Sequence, residues 1–314
     1  MRDEQKGDEG EVSDIGGASV PYTVFSGFCM GTADVVPGVS GGTMAVALGI
    51  YKQLLSAINS VASRGVVRAL LGFKLREFFA VVHWRFLASL VAGMAIGIGI
   101  MVKVVGLPEM VQANAPQRPA VYAIFMGMVV ASCVSLARTI KKWTPTRVGS
   151  LLVGTALGFA FVNLVPVQTP EHPLFIFACG AIAICAMLLP GISGSFLLLI
   201  LGKYAYVLAA VGRLDLTVLI PFVLGCLAGM LSFSRFLGWL LKRWYETVLA
   251  ALIGLLVGTL WRIWPYQRIE EVIVRDKPRV IGTSAYLPES FEPGLLALFL
   301  VGIALVQLIE WYAR

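Results

Sequence analysis

Pro37-Gly-Val-Ser-Gly-Gly-Thr43 recurs half a chain later as Pro190-Gly-Ile-Ser-Gly-Ser-Phe196. The match runs on past the loop, because Gly49-Ile-Tyr51 answers Gly202-Lys-Tyr204 at the same offset. Each copy lies inside apolar sequence, where such a run would break a helix at membrane depth. Broken backbone there is tolerated only where it is buried in protein or lines a cavity. Paired interruptions in the two halves of a membrane chain point to a transport site.

Working outward, composition fixes the class. The 314 residues are 58% hydrophobic and only 14% charged, and mean hydropathy is +0.84. Soluble domains carry about a quarter charged residues, so a polytopic membrane protein is expected. Residues 1–20 hold six acids (Asp3, Glu4, Asp8, Glu9, Glu11, Asp14) against Arg2 and Lys6. That net of −4, in a chain of total charge +7, leaves +11 on the remainder. Such a balance suits basic loops beside anionic leaflets. The acidic start lacks the positive n-region and apolar core of a signal peptide and reads as a disordered cytoplasmic tail. Cys29, Cys133, Cys179, Cys185 and Cys226 fall in apolar segments without paired spacing, so packing is expected of them and neither disulfide nor zinc.

Apolar runs at 84–106, 119–138, 147–166, 216–241, 247–264 and 293–312 each approach the ~20 residues of a spanning helix. The motif regions differ: short arms at 22–36 and 42–61 flank the first loop, and arms at 174–189 and 194–211 flank the second. A first arm of about 15 residues is only ~22 Å long, which suggests a re-entrant hairpin. Charge supports that. Arg64, Arg68, Lys74, Arg76 and Arg85 crowd 62–85, and Arg138, Lys141, Lys142, Arg147, Arg235, Lys242 and Arg243 mark further basic ends. The segments 107–118 and 167–173 are sparse. With both hairpins re-entrant, every basic short loop falls on one side, as the positive-inside rule requires. Making each motif pair a single crossing puts 62–85 on the wrong face.

The fold expected is therefore an all-α polytopic membrane protein built as an inverted repeat. Each half is a re-entrant helical hairpin plus three transmembrane helices. Repeat 1 covers 21–167 with its hairpin at 22–61; repeat 2 covers 168–314 with its hairpin at 174–211. Three spans between the hairpins turn one over relative to the other, so hairpin one enters from the cytoplasm and hairpin two from outside. Both termini are then cytoplasmic, and the polar loop 265–292 is external.

Helix starts carry unsatisfied N–H groups and roughly half a positive charge. Ser40, Gly41, Gly42 and Thr43 occupy that position in hairpin one, and Ser193, Gly194 and Ser195 in hairpin two. Serine caps such starts and glycine admits close approach, so two converging loops would make an anion cradle suited to a phosphate. The blander alternative is that the loops only pack where helices meet. Asp34, three residues before Pro37, is a candidate coupling residue, because burial favours the protonated carboxyl. A cap on the loop N–H groups or a salt bridge would equally explain it; Met187 replaces it in the second copy. The last carbonyls before Pro37 and Pro190 are candidates to hold a cation or proton carrier. Arg138 and Arg235 suit snorkelling to lipid phosphates, with headgroup guidance as a second role. Lys52 and Lys203 are candidates to attract phosphate at a mouth. Asn163 is expected to hydrogen-bond a neighbouring helix. Neither His83 nor His172 has a ligand partner at helical spacing, so no metal site and no catalytic residue are expected. Trp84, Trp143, Trp244, Trp261 and Trp264 fit interfacial anchoring.

Gly31-Thr-Ala-Asp-Val-Val-Pro-Gly-Val-Ser-Gly-Gly-Thr43 with Leu48-Gly-Ile-Tyr51 resembles the signature of the polyprenyl-phosphate transporter family, formerly a domain of unknown function. Met187-Leu-Leu-Pro-Gly-Ile-Ser-Gly-Ser-Phe196 with Leu201-Gly-Lys-Tyr204 resembles its second signature. The likeness covers nearly the whole chain from about residue 22. It implies a flippase in a bacterial cytoplasmic membrane, returning undecaprenyl phosphate to the inner leaflet for cell-wall synthesis. Its partners would be that lipid and its membrane, with no nucleic acid and an oligomer left open. No cofactor is implied; proton or sodium coupling stays open. An alternative is an undecaprenyl-pyrophosphate phosphatase-like enzyme, whose loop also reads Pro-Gly-x-Ser. There an arginine follows the serine and a glutamate cluster completes the site. Here Gly41 and Gly194 follow, and the Glu270-Glu271 pair lies in the loop 265–292, leaving little to stabilise a transition state. A small-anion transporter is the third class.

Overall fold

The computed structural model describes residues 19–35, 40–61, 66, 72, 81–110, 115–164, 169–274 and 277–313. The acidic tail and Pro37 lie outside them, as does most of the basic stretch 62–80. The described chain is largely helical. Its first half contributes α1 (Val20–Val35), α2 (Gly41–Ala47), α3 (Tyr51–Val61), α4 (Trp84–Ile100, continued by the π turn Met101–Val105), α5 (Arg118–Thr139) and α6 (Pro145–Val162). The second contributes α7 (Pro173–Leu188), α8 (Gly194–Ile200), α9 (Tyr204–Arg213), α10 (Leu216–Arg243), α11 (Tyr245–Thr259, continued by the 3-10 turn Leu260–Ile263) and α12 (Pro293–Ala313).

Helices α4, α5, α6, α10 and α11, with their continuations, are long and apolar enough to cross a membrane, and α12 is apolar over Pro293–Leu308. The protein is a multi-pass membrane protein. Large apolar side chains on α6 such as Leu152 and Leu157 stay 60% exposed, as expected of a surface that meets lipid.

Glycines decide which helices pair. A Cβ at Gly93 of α4 would lie 2.1 Å from the Val24 carbonyl oxygen of α1, and one at Gly97 2.4 Å from that of Phe28. In the second half a Cβ at Gly225 of α10 would lie 2.0 Å from the Phe177 oxygen of α7, and one at Gly229 2.5 Å from that of Ala181. Val24 and Phe177, like Phe28 and Ala181, are separated by the same stretch of sequence as Pro37 and Pro190. In both pairs the contacts climb together along the sequence, so α1 runs parallel to α4 and α7 to α10. Such small-residue contacts let backbones approach within dispersion and Cα–H···O range, the main adhesive where lipid removes the hydrophobic drive.

The remaining helices pair across the halves. Added Cβ atoms at Gly127 of α5 and Gly302 of α12 would each lie 2.1 Å from a facing carbonyl oxygen, of Phe299 and Ile124 respectively. Gly254 of α11 meets Leu151 and Gly154 of α6 meets Ala251 in the same way, at 2.1 and 2.2 Å. Further contacts, Gly158 to Leu255 and Gly258 to Thr155, show that α6 and α11 run parallel, and the matching pattern sets α12 parallel to α5. Each half thus lends its last helix to the other. Arg147 of α6 closes the start of its pair with Glu246 of α11 at 2.6 Å.

Two features depart from the sequence reading. The expected arms 42–61 and 194–211 are each broken into two helices, at Gly49 (φ +71) and Gly202 (φ +65). Ile50 N–H bonds to Ala45 and Gly49 N–H to Val46; Lys203 N–H bonds to Leu198 and Gly202 N–H to Leu199. Both sets are Schellman endings, which require the left-handed backbone that glycine takes freely. Helices α8 and α9 meet there at 107°. The loop 265–292, read only as polar, contains an antiparallel hairpin of β1 (Gln267–Val274) and β2 (Lys277–Ala285), paired from Gln267 opposite Ala285. Trp264 Nε1 donates to the Tyr286 carbonyl at 2.8 Å, and Glu292 N–H to the Tyr266 hydroxyl at 2.8 Å. The hairpin is therefore tied at its base to the end of α11 and the start of α12.

Candidate functional site

Where α1 ends and α2 begins, Ser40 takes an extended backbone and caps the short helix, its Oγ accepting from Gly42 N–H at 3.2 Å. Gly41 N–H donates instead to Asp34 Oδ1 at 2.7 Å. Thr43 and Met44 N–H groups both turn back to the Ser40 carbonyl. The first four donors of α2 are thus engaged within the chain, and the carboxylate of Asp34 stands where an external anion would.

The second loop copies this frame with different chemistry. Ser193 caps α8, its Oγ accepting from Phe196 N–H at 3.5 Å and sharing a hydrogen bond with Ser195 Oγ at 2.9 Å. Gly194 backs onto the Met187 side chain as Gly41 backs onto Asp34; added Cβ atoms would lie 2.6 and 2.7 Å from them. A thioether is a weak acceptor, so Met187 brings nothing comparable to the carboxylate. Ser195 is exposed and Ser193 half-buried, whereas Ser40 and Thr43 are buried.

The two loops touch. Gly191 N–H donates to Thr43 Oγ1 at 2.8 Å, and Tyr51 donates its hydroxyl to the Leu188 carbonyl at 2.5 Å. A Cβ at Gly42 would lie 2.9 Å from the Met187 carbonyl oxygen. Gly191 holds φ +85 against Thr259 and Leu256 of α11, which seats the second loop on a helix of its own half. The first loop and α3 therefore meet the stretch Met187–Gly191 that leads into the second loop, through the side chains of Thr43 and Tyr51. The family model of undecaprenyl phosphate translocase-like proteins (VCA0040-like) matches residues 30–281, a span that contains both loops. The chain belongs to that family.

Two relatives in the family carry the name polyprenyl-phosphate transporter. One, from Vibrio cholerae serotype O1, is 38% identical over 304 residues, covering 93% of this chain and 96% of its own. The other, from Staphylococcus aureus, is 29% identical over 261 residues, covering 77% of this chain and 85% of its own. No solved structure matches the chain significantly.

Within this family member the other candidates scatter. Arg138, in the last turn of α5, and Arg235, on α10, are exposed. Lys52 is exposed with its Nζ 3.9 Å from the Tyr245 ring centre, but Lys203 is only 3% exposed. Its ammonium donates to the Thr169 carbonyl at 2.7 Å, so it braces the bend between α8 and α9 rather than lining a mouth. Asn163 bonds its own helix at Phe159, 2.7 Å, rather than a neighbour, because it closes α6 as the C-cap. His172 caps α7, its Nδ1 accepting from Leu174 N–H at 3.3 Å. Two basic residues passed over in the sequence have defined partners, one of them beside the second loop. The Arg262 guanidinium lies 5.2 Å from the Phe196 ring centre, and Arg118 reaches Gln267 Oε1 at 2.6 Å. Their signal was a basic residue between Trp261 and Trp264 and another at a span start, both indistinguishable from interfacial anchors.

Proposed function

We propose that this protein is a flippase that moves undecaprenyl phosphate from the outer to the cytoplasmic leaflet of the bacterial cytoplasmic membrane, recycling the carrier lipid of peptidoglycan synthesis. The carrying observation is the junction of the two Pro-Gly-x-Ser-Gly loops through Thr43 and Gly191, in a chain whose family relatives are named for polyprenyl-phosphate transport. A single phosphate on a long apolar tail suits such a junction, since the headgroup passes through the loops while the tail stays in lipid.

Helix directions support an inverted repeat of 21–167 and 168–314. Helix α6 follows α5 after the short connection Ile140–Thr144 and so runs back against it, whereas α12 runs parallel to α5. The last helix of the second half therefore points opposite to its counterpart in the first. The parallel run of α1 and α4 likewise supports a hairpin that returns to its own side, and α1, with 16 residues, is only ~24 Å long, short of the ~30 Å hydrocarbon core. On this reading both termini are cytoplasmic and the β-hairpin is external.

The headgroup is met first by Ser193, Gly194 and Ser195, where no carboxylate of the described side chains takes the place that Asp34 has in the first loop. It passes to Ser40, Gly41, Gly42 and Thr43 by displacing Asp34, and a proton taken up by Asp34 in exchange would couple the step. The two hairpins act as alternating gates. Arg138 and Arg235, toward the cytoplasmic side, guide release. The test is a proteoliposome assay following fluorescent undecaprenyl phosphate between leaflets. Loss of hydrogen bonds to a charged group, about 1.5–3 kcal/mol each, predicts at least about a tenfold slower rate for the double variant Ser40→Ala/Ser193→Ala. Equal rates would defeat the loop site, and inorganic phosphate released from undecaprenyl pyrophosphate would instead favour an enzyme.

A further inference from the structure

The two hairpins match helix for helix, yet they hold different partners. Val20–Val35 answers Pro173–Leu188, Gly41–Ala47 answers Gly194–Ile200, and Tyr51 and Tyr204 open the next helix in each half. All these positions are separated by the same stretch of sequence as Pro37 and Pro190. Tyr51 is buried, and its hydroxyl donates to the carbonyl of Leu188, the last residue of α7. The residue matched to Leu188 is Val35, the last of α1. By the likeness of the copies the Tyr204 hydroxyl belongs on the Val35 carbonyl, but Tyr204 is exposed.

The same difference runs on into α3 and α9. Beyond Tyr51 on α3, Asn59 Nδ2 donates to the carbonyl of Ser234 on α10 at 3.2 Å, and Ser234 Oγ donates to Asn59 Oδ1 at 2.9 Å. Ser234 is fully buried. Gly212 stands in the place of Asn59 on α9, and a Cβ there would meet nothing within 4 Å. Helix α9 packs on its own half, with Ala210 clustered with Ile176 and Val218. Hairpin one is therefore sealed to the opposite half at two places where its copy stands off. The Asn59–Ser234 seal is made by a side chain. A Cβ at Gly238 of α10 would meet the Asn59 amide nitrogen at 3.0 Å, whereas the glycines of the paired helices face main-chain oxygens at 2.0–2.6 Å. The α3–α10 seam can part without prising two backbones from each other.

Thr43, which also ties the loops, is matched by Phe196, whose side chain has no hydrogen-bonding group. The tyrosine is present in both copies, so it can change hands. Where two repeats rock against each other, an exchange of their roles supplies the second state. We propose that Tyr51 and Tyr204 are alternate latches of one switch, and that the structure holds the state closed at hairpin one. In the other state Tyr51 leaves Leu188, the α3–α10 seam parts at Asn59 and Ser234, and the Tyr204 hydroxyl takes the Val35 carbonyl. This rests on the transport reading above, which makes the open side the outer one. It adds a residue that the cycle needs although the present state does not use it.

The test labels the seam with a water-soluble maleimide. Full-length protein carrying Ser234→Cys is reconstituted in liposomes, and modification at that position is followed by mass spectrometry with the five native cysteines in place. Ser234 is shielded while the seam is closed, so labelling reports the other state. Every sample shares that substitution, and its own effect cancels. Losing one buried hydrogen bond moves a two-state equilibrium by about fivefold or more. Tyr51→Phe is therefore expected to label at least about fivefold faster than the parent, and Tyr204→Phe at least about fivefold slower. Without the Ser234 substitution, Tyr204→Phe is expected to transfer fluorescent undecaprenyl phosphate at least about fivefold more slowly while unfolding like wild type. A role in packing alone would move unfolding and leave labelling unchanged. Unchanged labelling and transfer in Tyr204→Phe overturn the proposal, as do labelling shifts of the same sign in the two variants. Should Tyr51→Phe not fold, Tyr204→Phe decides by itself. A wild type that transfers no lipid phosphate sinks the function but not the switch, which the opposite labelling shifts carry independently.

Discussion

Tyr51 donates its hydroxyl to the main-chain carbonyl of Leu188 across the junction of the two halves, at 2.5 Å and in a buried setting. Its counterpart after the second loop, Tyr204, is 43% exposed. One motif tyrosine therefore latches the loops and the other does not. Removing a donor from a buried acceptor costs about 1–3 kcal/mol. Tyr51→Phe is expected to lose that much in thermal unfolding, and Tyr204→Phe to stay within about 0.5 kcal/mol of wild type. Matching losses in the two variants would show that the latch is not one-sided.

Close helix contact at Gly93 makes a second prediction. A methyl there would sit 2.1 Å from the Val24 carbonyl oxygen, while one at Gly99 of the same helix meets nothing within 4 Å. Gly93→Ala has to prise α1 from α4 and is expected to cost about 2–4 kcal/mol, an overpacking at the upper end of its class. Gly99→Ala is expected to be neutral or to gain up to about 1 kcal/mol from helix propensity. Unfolding of both variants in one detergent compares them directly.

At Gly49 the strain is purely of the backbone, since φ is +71 and the space around it is open. Gly49→Ala is expected to cost about 1–2 kcal/mol, and Gly49→Asn less, because asparagine tolerates the left-handed conformation. A tolerance of alanine equal to that of asparagine would mean the break between α2 and α3 is not fixed by this residue.

Asp34 separates two roles by substitution. Asparagine keeps an oxygen that accepts from Gly41 N–H, as Asp34 Oδ1 does at 2.7 Å; alanine removes it. Asp34→Asn is expected to unfold like wild type, and Asp34→Ala to lose about 1 kcal/mol of cap. In proteoliposomes with an imposed pH gradient, Asp34→Asn is expected to transfer lipid without responding to the gradient. An unchanged gradient response would leave Asp34 as a cap alone.

Much of this could be read without coordinates, and what could not has identifiable causes. Spans such as α5 and α10 follow from hydropathy because a helix that must satisfy its own backbone in lipid shows itself in every residue. The copied loops were visible for the same reason, as breaks where none should be. The Schellman endings at Gly49 and Gly202 were present in the matched Gly-x-Tyr triplets, but the apolar run on either side masked them. Asp34 could not be placed, since a seven-residue separation across a broken helix says nothing about whether it reaches Gly41. Lys203 reads like a surface cation until its carbonyl partner at Thr169 is known. The hairpin at 267–285 has no apolar alternation strong enough to separate it from a polar loop. Meetings such as Thr43 with Gly191 join positions far apart in the chain, which a single sequence does not encode locally.

The exchange of last helices between the halves has a consequence for biogenesis. Helix α6 leaves the ribosome long before α11, against which its glycine face closes through Gly154 and Gly158. Helix α5 waits longer still, for α12, the last helix of the described chain. During synthesis both stand in the bilayer with an unfilled groove, held only by neighbours from their own half. The nascent protein cannot mature one half at a time, so a chain truncated before α11 would leave both seams open to quality-control proteases, and one truncated before α12 would leave open the groove of α5.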